Sequence, residues 1–205
     1  MMIKSTSIYS LILLGFLVLY SCTKEPCLDI PKLDQYTELT KNWFVDESIG
    51  NTTFTDKNGI NQTLVKQTSD YFASENVIED DCGNTYGSFN YSIQYLTSLS
   101  NIHFSVDIRG GEFEGDGFYL ELSLSNLNKG NKSTEYDFYT EEGRDNNAVI
   151  NLLPVLKIGE RKFNDVLEIN FRETFSPNDV KIVYYSKGNG IVKFTQENGN
   201  IHLIN

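Results

Sequence analysis

VKIVYYSKGNGIVKFTQENGNIHLIN, residues 180–205, decides the fold class. Three β-rich runs, 180–186, 191–195 and 201–204, are separated by the turn-rich Lys187-Gly188-Asn189-Gly190 and by Asn198-Gly199. Asn-Gly suits tight turns whose twist matches that of the flanking strands, because both residues tolerate positive φ. The spacing therefore predicts a three-stranded antiparallel meander.

Upstream, the same period of two recurs. NIHFSVDIRG (101–110) places Ile102, Phe104, Val106 and Ile108 on one face and His103, Ser105, Asp107 and Arg109 on the other. FYLELSLSN (118–126) alternates Phe118, Leu120, Leu122 and Leu124 with Tyr119, Glu121 and Ser123, and the glycine-rich GGEFEGDG between the two runs predicts a hairpin. SFNYSIQYL (88–96) sets Phe89, Tyr91, Ile93 and Tyr95 against Asn90, Ser92 and Gln94. Asn58-Gly59 marks a further hairpin between NTTFT and INQTLVKQTSDYF. In FNDVLEINFRE, Leu167, Ile169 and Phe171 alternate with Val166, Glu168 and Asn170. INLLPVLKI (150–158) is apolar on both faces, and Pro154, which cannot donate a ladder bond, predicts an edge, a bulge or a break. Leu33, Tyr36, Leu39 and Trp43 have helical spacing and predict one short amphipathic helix or turn within 32–44. The expectation is an all-β, antiparallel β-sandwich or barrel-like domain of roughly ten strands with at most one short N-terminal helix.

The start of the chain has another character. Lys4 precedes an apolar run from Ile8 to Tyr20, the build of an export signal and too short for a permanent span. Leu19-Tyr20-Ser21-Cys22 resembles the lipobox of bacterial lipoproteins, and the YYSKGNGIVKF hairpin resembles the ending of many small β-rich envelope lipoproteins. The resemblance implies a signal peptide over 1–21, acylation of Cys22 with palmitate-type chains, a tether over 22–31 and a single β-rich domain over 32–205. Several acyl chains give firm anchoring where one gives only marginal binding. Thr23, rather than aspartate, after the lipidated cysteine implies the outer membrane of the bacterial cell envelope.

With Cys22 as the anchor, Cys27 and Cys82 remain, and an oxidising compartment permits a disulfide between them. Closing a loop of about 55 residues contributes up to roughly 4 kcal/mol by the chain-entropy argument; two free thiols are the alternative. The formal charge is −11 and becomes one unit more negative when residues 1–21, which hold one lysine, are removed. Such acidity repels phosphate backbones and argues against nucleic acid as a partner.

Chemistry-bearing motifs are sparse. Nucleophile-elbow and phosphate-loop patterns are absent, and the two histidines, His103 and His202, read as surface residues. Glu112, Glu114 and Asp116 alternate in a glycine-rich loop and form the one candidate metal site, for calcium, with a solvated turn as the plain alternative. Tyr91, Tyr95 and Tyr119 are candidate ligand-binding residues, since tyrosine offers a flat apolar face with a polar rim. No catalytic residue and no required cofactor emerge. The expected function is a membrane-anchored envelope lipoprotein whose β-domain binds a hydrophobic ligand, a glycan or an envelope protein. The alternative is a carboxylate- or calcium-dependent hydrolase of surface glycans.

Overall fold

The computed structural model describes residues 40–73, 78–79, 85–86, 89–97, 102–110, 118–126, 130–138, 140–174 and 176–205. All of these fall within one compact unit, Pro31–Asn205. Fourteen strands are present: β1 (Thr52–Asp56), β2 (Asn61–Ala73), β3 (Ile78–Glu79), β4 (Thr85–Tyr86), β5 (Phe89–Thr97), β6 (Ile102–Gly110), β7 (Phe118–Asn126), β8 (Gly130–Asp137), β9 (Glu142–Gly143), β10 (Ala148–Ile158), β11 (Arg161–Phe171), β12 (Val180–Ser186), β13 (Gly190–Gln196) and β14 (Ile201–Ile204). Twelve form one antiparallel sheet in the order β10-β11-β12-β13-β14-β1-β2-β5-β6-β7-β8-β9, while β3 pairs only with β4. The predicted meander is β12-β13-β14, and both predicted Asn-Gly turns reverse the chain with Gly190 and Gly199 at positive φ. The count exceeds the expected ten partly because two-residue strands leave no periodic trace.

The sheet curls into a nearly closed barrel. Its seam is bridged by the segment 144–147 instead of by a further ladder. The Arg144 amide donates to the Glu135 carbonyl at 2.9 Å, the Asp145 carboxylate accepts from Thr134 Oγ1 and the Glu135 amide, and Asn147 Nδ2 donates to the Ser133 carbonyl. Polar groups along this edge of β8 thus find partners before the chain enters β10. Lys132 adds a strap, its ammonium donating to the carbonyls of Val180 at 2.7 Å and Glu173 at 3.2 Å while lying 4.5 Å from the Phe171 ring centre. Burial pushes its pKa down to about 8.

The interior is packed by the apolar faces predicted from alternation. Ile102, Phe104, Val106 and Ile108 of β6 and Phe118, Leu120, Leu122 and Leu124 of β7 are all buried. Phe194 of β13 meets Phe104 of β6, ring centres 5.6 Å apart, and Phe54 of β1 at 5.4 Å. Since β13 and β6 lie on opposite walls of the closed sheet, their contact means that the walls touch. Direct aromatic contact of this kind adds to the burial term.

Residues 40–49 stop one mouth of the barrel. Trp43 and Val45 are buried, Trp43 stacks on Tyr185 at 6.4 Å, and Phe44 stacks on Tyr91 at 4.2 Å. Tyrosine hydroxyls of the wall serve the plug's backbone: Tyr185 donates to the Trp43 carbonyl at 2.8 Å, and Tyr91 accepts from the Val45 amide at 3.1 Å. Gly190, at φ +76°, sits where a Cβ would come within 2.7 Å of Tyr95 Oη and 2.9 Å of Val45 Cγ2, so only glycine fits. The predicted helix over 32–44 lies mostly outside the described residues. Its described end is helical at 40–41 and closes in a turn, in which the Trp43 amide bonds the Thr40 carbonyl at 2.8 Å.

A second core lies on the outer surface of β11–β13. Ile158, Phe163, Val166, Tyr184 and Val192 are buried there together, with Leu153 and Leu156 against them. Phe163 and Val166 are three apart yet share this face, because Asp165 at φ +48° reverses the alternation of β11. β10 is the terminal strand of the sheet, the edge position that Pro154 predicts.

Candidate functional site

On the outer face of β5–β8 the polar halves of four alternating strands fall into register. Pairing of these strands lines up Leu96, His103, Ser125 and Asn131 in one row and Gln94, Ser105, Ser123 and Ser133 in the next. A third row is Ser92, Asp107, Glu121 and Glu135, and a fourth is Asn90, Arg109, Tyr119 and Asp137. Neighbours in a row stand about 5 Å apart by strand geometry. The first two rows line a groove of about 370 Å³, with Phe104, Leu124 and Lys132 beneath them. That volume lies within the range of small-molecule sites.

The charged rows are tied to one another and to the groove. Arg109 reaches Glu121 at 3.3 Å and Asp107 at 4.0 Å. Arg144 lies 3.7 Å from Glu135 and 3.9 Å from Asp137, with its guanidinium 5.0 Å from the Tyr119 ring centre. Ser105 Oγ donates to Asp107 at 2.9 Å and Ser123 Oγ to Glu121 at 3.0 Å, each along its own strand. The carboxylates thereby fix the hydroxyls that floor the groove.

The three tyrosines singled out from sequence are not brought together. Tyr91 and Tyr95 point into the interior, 5 % and 3 % exposed, where they support the plug. Burial pushes both phenol pKa values up. Tyr119 is half-buried on the outer face, under Arg144. Glu112, Glu114 and Asp116, and all three cysteines, Cys22, Cys27 and Cys82, lie outside the described residues. Among the described residues no three His, Cys, Asp or Glu side chains are grouped to hold a metal ion, and no helix is long and apolar enough to cross a membrane.

His103 is half-buried on the outer face and lines the groove. His202 corrects the surface reading: it is fully buried, its ring stacked on Phe194 at 4.4 Å and Nε2 3.2 Å from Gln196 Oε1. Burial pushes its pKa down, with the nearby Asp56 carboxylate opposing. The strand instead turns its apolar residues outward, Ile201 and Leu203 being about two-fifths exposed. Sequence reasoning also missed the groove, although its floor consists of the polar positions of the best-read strands. Alternation assigns them to solvent, and only the strand order reveals which of them are neighbours. Comparison with known protein families, curated proteins and solved structures returned no match.

Proposed function

We propose that the chain is an envelope lipoprotein, anchored through Cys22, whose barrel binds a polar ligand in the groove on the outer face of β5–β8 and catalyses no reaction. One observation carries the choice of ligand side: the Phe104–Phe194 contact fills the space that an enclosed hydrophobic ligand would need, while the groove of about 370 Å³ lies outside on hydroxyl- and amide-bearing rows. The plug of residues 40–49 supports the same choice, since it occupies a mouth through which an apolar ligand would enter. The lipobox-like Leu19-Tyr20-Ser21-Cys22 supports the anchor and an outer-membrane address.

The test uses the full chain, produced in an exporting bacterium and extracted in mild detergent. Mass spectrometry should find a product beginning at an acylated Cys22, and non-reducing peptide mapping should find Cys27 joined to Cys82. A thermal-shift panel of saccharides, fatty acids and calcium should raise the melting temperature with saccharides, since a ligand that binds only the folded form stabilises it. A shift with fatty acids alone would overturn the groove reading. Cleavage of a bound glycan would replace it with the hydrolase alternative.

A further inference from the structure

We infer that the groove takes a saccharide bearing a positively charged amine, an inference that rests on the groove being the binding site. An ionised carboxylate only accepts hydrogen bonds, so Ser105 and Ser123 must donate theirs to Asp107 and Glu121. Each serine oxygen is left with its lone pairs and no proton to give. At these two central positions the floor accepts, and a ligand over them has to bring hydroxyl or ammonium donors.

Charge adds to this selection. Asp107, Glu121, Glu135 and Asp137 share the outer face with Arg109 and Arg144, so four carboxylates meet two guanidiniums and two negative charges are in excess. A recess beside such an excess concentrates cations. Lys132, the one ammonium-bearing residue among the described residues lining the groove, keeps its charge and lowers the excess to one, while its protons are taken by the Val180 and Glu173 carbonyls. Phosphate, sulfate and uronate groups thus meet acceptors and negative charge.

Shape narrows the class further. Among the described lining residues the one benzene ring, that of Phe104, is fully buried, and the half-buried His103 imidazole is the one flat face offered. Binding must come mainly from hydrogen bonds along the rows, which suits a polyhydroxylated ring. The volume of about 370 Å³ accommodates one or two such rings.

The test is calorimetry on the detergent-solubilised full chain with three probes: a short glucosamine oligomer with free amines, its N-acetylated counterpart and a uronate oligomer of equal length. The free-amine oligomer should bind at least tenfold more tightly than the acetylated one, the uronate should not bind, and raising salt from 50 to 500 mM should weaken the free-amine complex severalfold. Ser123→Leu, which fills the groove from an outward position, should abolish binding. Glu121→Gln should shrink the preference for the free amine at least threefold, and Glu160→Gln, at the tip of the β10–β11 hairpin, should change nothing. Equal binding of amine and acetylated forms, or preference for uronate, with Ser123→Leu still blocking, would overturn the amine assignment and leave the groove standing. Binding that survives Ser123→Leu in a protein with unchanged circular dichroism, or no saccharide binding at all, would overturn both.

Discussion

The two halves of the sheet solve the same burial problem differently. Strands β5–β8 each bury one face, and the other face carries the rows that make the groove. Strands β11–β13 carry apolar residues on both faces, and the tip of the β10–β11 hairpin packs over their outer side to make the second core. The reversal at Asp165 makes this possible, and Arg161, donating from Nη1 to the Asn205 carbonyl, fastens the tip. A strand that is apolar on both sides demands a second cover. A strand that alternates leaves its outer side available for binding.

The contrast can be broken first where the halves touch. Phe194→Ala removes the ring that joins β13 to Phe54, Phe104 and His202, and should cost about 3–5 kcal/mol. Urea unfolding should show a lower midpoint with every spectroscopic probe shifting together, and a transition split between probes would mean that the halves are independent. Val192→Ala touches only the second core. Loss of about two methylene equivalents predicts roughly 2 kcal/mol, with amide exchange quickened over 153–166 and unchanged in β6 and β7.

His202 sharpens the comparison by pH. Its folded pKa lies below the ordinary value of 6.5, so the unfolded chain binds the extra proton. The stabilisation is complete above about pH 6.5 and is lost as pH falls below it, no more steeply than about 1.4 kcal/mol per pH unit for one group. Denaturant midpoints between pH 7 and 5 should show the fall, and His202→Gln should flatten it. Ser123→Val, on the wet side of β7, has the smallest expected effect, within about 0.5 kcal/mol of zero in the same measurement. A larger loss would show that the outer rows also hold the sheet together.

Legibility followed the same division. In β5, β6 and β7 the alternation identified nearly every buried side chain, because one face of each strand is wet. In β11 it failed at Val166, read as the side opposite Leu167 and yet fully buried, since a second cover makes both sides inner. β8, GNKSTEYD, escaped notice because only Thr134 and Tyr136 are buried along it. Pro154 left an edge, a bulge or a break open from covalent chemistry, and the strand order selects the edge. The choice between sandwich and barrel depends on the seam at 144–147, made by Asp and Asn side chains that carry no periodic signal. The groove depends on register across four strands, and residues 90–96 and 131–137 become neighbours only through the intervening β6 and β7.

Strand β1 is hydrogen-bonded to β14, with Phe54 opposite Ile204 and the Asn205 amide donating to Thr53. Residues some 150 positions apart therefore meet in the middle of the wall, and a chain emerging from the ribosome lacks that joint until its last strand has appeared. Such distant pairing slows folding. If the chain is exported as proposed above, the delay would help: the wall would stay open until β14 had crossed.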